Sequence, residues 1–259
     1  HRIQRTVSWH VWGHVLDLKR LNVLTDYALE AASCINSYHK GDLKMIVEEI
    51  MNRELHTLTP ENSVRDAVRL MREKNIRHVP IVNNEHNVVG IVTDHDIKKA
   101  LPSCLREEPN STIYDAAVDE IMTKNPLVGH PLDFVEEVAL TFYDAKISCL
   151  PIISANKLVG IVTTTDLLYT YIELTGAHKP GSKIDIRVED RPGILNEITK
   201  VFYENHANML SVLVYPDGDS EKTRILSVRL QVINPLPIIE DLRNQGFHVL
   251  WPHLPGVTQ

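Results

Sequence analysis

Two threonine–aspartate pairs have the residue types and spacing to do chemistry. Thr93 is followed three residues later by Asp96, and Thr163 by Asp166, each directly after Gly-Ile-Val. At the start of a helix, unpaired N–H groups and the positive end of the dipole attract phosphate. A threonine hydroxyl there can donate to the same phosphate, and an aspartate one turn on can accept both hydroxyls of a ribose. The same spacing is also a capping box, which closes a helix with no ligand. Capping and binding can share the residues. Arg77 and His78 precede the first apolar strand, where the second copy has Ser148 and Cys149. A guanidinium fork suits phosphate, so the cleft around Thr93 and Asp96 is expected to favour a phosphorylated ligand more than its partner. Lys98 and Lys99 follow Asp96, where the second copy has Leu168 and Tyr169. A solvated helix face accounts for the lysines equally well, and a satisfied core or edge position for His78.

The elements that must position these groups form an internal repeat. Val47-Glu48-Glu49-Ile50-Met51 recurs as Val118-Asp119-Glu120-Ile121-Met122. Val64, Ala67, Val68 and Met71 recur as Val135, Val138, Ala139 and Phe142, each set spaced as one buried helix face. Val79-Pro80-Ile81-Val82 matches Leu150-Pro151-Ile152-Ile153, and Val89-Gly90-Ile91-Val92-Thr93 matches Val159-Gly160-Ile161-Val162-Thr163. The second copy loses one residue in the polar turn between these runs, where loops tolerate deletion. Each copy predicts a short leading strand, a helix, a two-stranded hairpin and a second helix. A unit of about 60 residues buries little core alone, so two copies are expected to pack as a pseudo-twofold pair with two clefts. The Ile-Met openings, Arg77-His78-Val79-Pro80-Ile81-Val82 and the repeated Gly-Ile-Val-Thr run resemble the cystathionine-β-synthase (CBS) domain pair. That resemblance implies adenosine-containing ligands, such as AMP or ATP, in the clefts.

Residues 175–183 read as a turn-rich linker. Beyond them Ile184, Ile186 and Val188 alternate as a half-buried strand, broken by Asp190-Arg191-Pro192-Gly193. Ile194, Leu195, Ile198, Val201 and Phe202 then line one helix face. Strands at Met209–Tyr215 and around Leu226–Val232, a helix over about 237–244 and a strand at 247–250 complete a ferredoxin-like βαββαβ plan. This order, with Asp-Arg-Pro-Gly-Ile-Leu at the first strand-to-helix turn, resembles the ACT domain, a regulatory module that often binds amino acids. The resemblance implies that Asp190, Gly193, Ile194 and Leu195 contact a small ligand, joined by Asn208 from the opening of the next strand. A tight turn into a helix, on a domain that only dimerises, explains the same residues.

The fold class that results is α/β (α+β): a tandem CBS pair followed by an ACT domain. The expected units are residues 45–104, residues 105–174 with the connecting segment, the linker and residues 184–259. Residues 1–44 differ in character: they are net basic, hold Trp9 and Trp12, and begin with His1. Val15, Leu18, Leu21 and Leu24 have the spacing of an amphipathic helix. Lys40-Gly41-Asp42 also back-translates to a purine run like a ribosome-binding site, two codons before that of Met45. On that reading the segment is translated upstream sequence and the natural chain starts at Met45.

Composition excludes broad classes. With 43% apolar and 24% charged residues the chain is not disordered. No apolar run reaches the roughly 18 residues of a membrane span, and no signal peptide is evident. A net charge of −7 argues against nucleic acid. Three scattered cysteines fit a reducing compartment. There is no nucleophile elbow, P-loop, zincin motif or metal-spaced Cys/His cluster, so neither catalysis, a metal nor a cofactor is expected. A CBS pair with one ACT domain resembles the acetoin-utilization regulators of Bacillus-type bacteria. The resemblance implies a cytoplasmic role in acetoin and butanediol catabolism. The expectation is a non-catalytic homodimer that senses an adenine nucleotide and acts on a partner enzyme of acetoin metabolism. The alternative is a dimerising scaffold with vestigial clefts.

Overall fold

The computed structural model describes residues 45–100 and 112–252. The readings made on residues 1–44 lie outside the described residues. In the first repeat, Ser63 caps helix α2 (Val64–Glu73) through a reciprocal box with Asp66, and Val64, Ala67 and Met71 turn inward. Strands β1 (His78–Val82) and β2 (Val88–Thr93) form the expected antiparallel hairpin, and helix α3 (Asp94–Ala100) follows without a break. The second repeat repeats the plan with helix α4 (Val135–Ala145), strands β4 (Cys149–Ser154) and β5 (Lys157–Thr163), and helix α5 (Thr164–Thr175). Both hairpins carry a register shift at the equivalent place, Ile81/Val82 and Ile152/Ile153. The turns differ. Asn83 ties the longer first turn by accepting from the amides of Glu85 and Asn87. The second is a two-residue turn with positive φ at Ala155 and Asn156, the handedness that matches strand twist.

The leading strand of each copy is reduced to one bridging residue, Leu58 beside Ile81 and Gly129 beside Ile152. What precedes that residue does not stay with its own copy. Helix α1 (Val47–Ile50) and Met51 pack with Val135, Val138, Phe142, Leu150 and Val162 of the second repeat. Val118, from the 3₁₀ turn that opens the second repeat, packs with Val64, Ala67, Val79 and Val92 of the first. Backbone pairing follows the same exchange: Asn52 bridges Ile161, while β3 (Thr123–Lys124) pairs with β2 at Gly90 and Ile91. Glycine makes it possible. A Cβ on Gly160 would lie 2.3 Å from the Met51 sulfur, and one on Gly90 would lie 2.3 Å from that of Met122. Each methionine therefore fills the space that the other repeat's glycine leaves open. Ile91, Cys149 and Ile161 form a small buried cluster where the two hairpins meet, with Leu55 against it.

The third unit is a four-stranded antiparallel sheet in the order β7-β8-β6-β9, formed by β6 (Ser182–Glu189), β7 (Met209–Asp217), β8 (Ser220–Leu230) and β9 (His248–Trp251). With helices α6 (Ile194–Glu204) and α7 (Leu236–Asn244) it completes the βαββαβ plan. Ile184, Ile186, Leu226 and Val228 from the sheet bury against Ile198, Phe202, Ile239 and Leu242 from the helices. Strand β6 begins two residues before the apolar alternation does. Gly181 sets that start by lying so close to Leu230 that a Cβ would come 2.4 Å from its carbonyl oxygen. Pro216 sits within β7, which is tolerable because β7 is an edge strand. The Ser211 hydroxyl donates to the carbonyl of Thr175 at 2.8 Å, joining β7 to the end of α5.

Candidate functional site

Both strand-to-helix junctions are built alike. The Asp94 amide donates to the Arg77 carbonyl at 3.0 Å, and the Thr164 amide to the Ser148 carbonyl at 3.0 Å. These bonds hold each helix start against the opening of its own hairpin. Both Thr-x-x-Asp pairs are closed capping boxes. The Thr93 hydroxyl and amide lie 2.7 and 2.9 Å from Asp96 Oδ2, and the Asp96 amide returns a bond to Thr93 Oγ1 at 3.2 Å. For Thr163 and Asp166 the hydroxyl and amide distances are both 2.7 Å, with the return bond at 3.4 Å. One carboxylate oxygen of each aspartate is thus committed to its own helix. All four residues are half-buried.

The two junctions meet at His78. Its Nε2 lies 2.9 Å from Ser148 Oγ, across the pseudo-twofold relation. Burial pushes the imidazole below its ordinary pKa. The field of Asp94 opposes that shift, the nearby Arg77 charge adds to it, and Asp166 and Asp96 oppose it further. So His78, Ser148 and the aspartates of both caps share one neighbourhood. The Arg77 side chain is exposed. Asp94, which the sequence reading did not single out, is held below the usual carboxylate range chiefly by its bond to Lys98 at 2.8 Å. Its signal was present: an acid four residues before a lysine on a helix. Lys98 and Lys99 are exposed, with Lys98 engaged by Asp94. Cys149 is buried and its thiol is pushed far up by desolvation, so it is no nucleophile at neutral pH.

At the Asp-Arg-Pro-Gly turn, Gly193 takes φ +85° and starts α6, a conformation that disfavours any side chain. Arg191 is clamped by Glu197 at 2.7 and 2.8 Å and by Glu189 at 3.0 Å. Asp190 accepts from Arg224 Nε at 2.9 Å. A shallow pocket of about 80 Å³ opens beside this turn, lined by Asp190, Ile194, Leu195, Val214, Arg224 and neighbours. Asp190, Ile194 and Leu195 are therefore brought together, with Gly193 adjoining. Asn208 is not. Strands β6 and β7 both run antiparallel to β8, hence parallel to each other. The turn follows the end of β6, whereas Asn208 precedes β7, and its carbonyl accepts from Gln231 at 2.8 Å at the opposite end of the strands. With about 3.3 Å per residue, the length of a strand separates it from the pocket. Val214 and Arg224 take the place assigned to it, and only the strand pairing identifies them.

No helix among the described residues is long and apolar enough to cross a membrane. Among the same residues, no group of three or more His, Cys, Asp or Glu side chains could hold a metal ion. The CBS domain family matches residues 47–103 and 118–173, and the ACT domain family matches residues 182–247. The chain is similar to a homoserine O-acetyltransferase of Methanococcus vannielii, 34% identical over 126 residues. That match takes in 48% of this chain and 24% of the relative, so the chain spans about a quarter of that protein's length. Among solved structures, a Vibrio cholerae chain assigned as the acetoin utilization protein AcuB is 32% identical, with a TM-score of 0.45 over 52% of this chain and 95% of that one. A CBS domain pair solved with 5′-methylthioadenosine and S-adenosyl-L-methionine is 30% identical, with a TM-score of 0.44 over 52% of this chain and 98% of its own. The chain belongs to the tandem CBS-domain proteins and carries an ACT domain as its C-terminal unit.

Proposed function

We propose that this chain is a non-catalytic regulatory protein that binds an adenine nucleotide at the two strand-to-helix junctions. One observation carries the reading: the capped helix starts of both repeats converge on the His78–Ser148 pair. Thr93, Asp96, Arg77 and His78 form one half of that site, and Thr163 and Asp166 the other. Binding in this reading opens the capping boxes: each threonine hydroxyl turns its proton from the aspartate to phosphate, and the aspartate carboxylate freed in this way takes ribose. A second, small ligand fits the reading at Asp190, Gly193, Ile194 and Leu195. In this reading the chain works as a cytoplasmic homodimer, and binding shifts its arrangement toward a partner enzyme by differential affinity for two states. The partner belongs to acetoin or butanediol catabolism, which rests on the resemblance of the module order alone.

The test is a thermal-shift panel with AMP, ADP, ATP, NAD and S-adenosylmethionine. A ligand at about 100 times its dissociation constant adds roughly 2.7 kcal/mol. Asp96→Ala is expected to remove most of the shift, and silence across the whole panel refutes the reading. The closed state of both capping boxes favours a second reading, a scaffold whose clefts are vestigial. It requires that Thr93→Ala with Asp96→Ala leave regulation in cells unchanged.

A further inference from the structure

The hairpin register sets a histidine beside one cap and a cysteine beside the other. His78 pairs with Thr93 across β1 and β2, and Cys149 pairs with Thr163 across β4 and β5. Paired residues share a face of the hairpin with their Cβ atoms about 5 Å apart. A phosphate taken by the Thr93 hydroxyl therefore comes within reach of the His78 ring. The charged groups facing that ring are Asp94 and Asp96 of α3, Asp166 of α5 and Arg77 on its own strand. From the second repeat, Ser148 bonds its Nε2 at 2.9 Å, and Cys149 is a buried thiol. Lys98 is engaged by Asp94 at 2.8 Å. Three carboxylates thus stand against one exposed guanidinium, a poor balance for a phosphate dianion. Burial holds the imidazole below its ordinary pKa, and the carboxylates only oppose that shift, so at pH 7 the ring is neutral on its own.

We propose that a phosphorylated adenosine ligand draws a proton onto His78 as it binds, so that affinity for phosphate-bearing ligands, and not for unphosphorylated ones, rises as pH falls. The inference rests on the proposed nucleotide site and names the residue that makes its selectivity depend on pH. A dianion beside an imidazole favours the charged ring. The imidazolium carries two N–H donors: one stays with Ser148 Oγ and the other serves phosphate. The proton comes from solvent and remains on the ring. Cys149 offers no such charge to a ligand at Thr163. Its thiol is held neutral by desolvation, and its only ionisation gives an anion. The two junctions, alike in backbone, therefore differ in whether a proton accompanies the ligand.

Calorimetric titration of the full chain with AMP and with adenosine at pH 7, in two buffers of different ionisation enthalpy, counts the protons taken up on binding. A phosphate monoester loses its second proton near pH 6, so AMP arrives largely as the dianion. The expected uptake is about half a proton or more with AMP and none with adenosine. AMP affinity should gain up to about tenfold as pH falls from 8 to 7. His78→Gln is expected to abolish the uptake and flatten the pH dependence at the weaker level. His78→Arg, with a fixed charge, should also abolish the uptake yet keep AMP tight across the range, which separates lost charge from lost fold. His86→Gln, exposed in the hairpin turn, should leave the uptake intact. AMP binding with no uptake, or with the same uptake as adenosine, overturns the coupling and leaves the nucleotide site standing. Uptake that survives in His78→Gln overturns it by assigning the proton to another group. Silence with both AMP and adenosine overturns the site and the coupling together.

Discussion

The two repeats share a hairpin, two helices and a capping box, yet they turn different chemistry outward and toward the junctions. The first presents Arg77, His78, Lys98 and Lys99, while the second presents Ser148, Cys149, Leu168 and Tyr169 at the matching places. Cys149 is buried where His78 is only partly so. What the repeats keep in common is what the backbone requires: a threonine cap with an aspartate one turn on, an amide bonded back to the hairpin and a glycine under a methionine. What they vary is charge. The shared features are framework and the divergent ones set the difference in charge.

The largest expected effect tests the framework. Met51 belongs to the first repeat in sequence and to the second in packing. Met51→Ala is expected to cost about 2–5 kcal/mol, as for other buried large-to-alanine changes. Hydrogen exchange should then accelerate in β4–β5 before β1–β2, and Met122→Ala should reverse that order. Faster exchange in β1–β2 for Met51→Ala would mean that each opening segment serves its own repeat. Next in size is Gly160→Val, which forces a side chain into the space of the Met51 thioether. Overpacking of this kind costs about 1–3 kcal/mol, read as a lower midpoint in urea.

Smaller again are the caps. Thr93→Ala and Thr163→Ala are each expected to cost about 0.5–2 kcal/mol without any ligand. Equal losses by calorimetry would show equal capping. A ligand-dependent part confined to Thr93→Ala would show that phosphate binding resides in the first repeat. The smallest effect is a slope with pH. Burial lowers the His78 pKa in the folded chain, so the unfolded chain takes up a proton that the folded one refuses. Stability is complete above the free imidazole value of about 6.5 and declines as pH falls below it toward the folded value. His78→Gln keeps a partner for Ser148 and should flatten that decline. An unchanged slope would assign it to other groups.

Much of this architecture was readable in the chain. The offset between copies located both hairpins, both caps and the buried helix faces, because amphipathic spacing and the Thr-x-x-Asp box are local properties. The alternation at Ile184, Ile186 and Val188 and the break at Pro192-Gly193 located the first strand and turn of the ACT unit. The exchanged openings were not readable. Val47–Met51 and Val118–Met122 look like the start of their own repeats, and no local rule says which core an apolar segment fills. Closing a longer loop adds little free energy, so the choice rests on fit, here Met51 over Gly160 and Met122 over Gly90. Asn208 fails for a related reason: its end of the sheet is decided by pairing with β8, which periodicity does not report.

Helix α5 begins at the Thr163–Asp166 cap and ends at Thr175, whose carbonyl accepts from Ser211 on the β7 edge. It is a rigid rod about 18 Å long at 1.5 Å per residue. One end sits at the junction proposed to bind a nucleotide, and the other is pinned to the strand whose Val214 walls the small pocket. Tilting the rod at its first turn would therefore move that wall, so occupancy at one end could be felt at the other with no hinge between them.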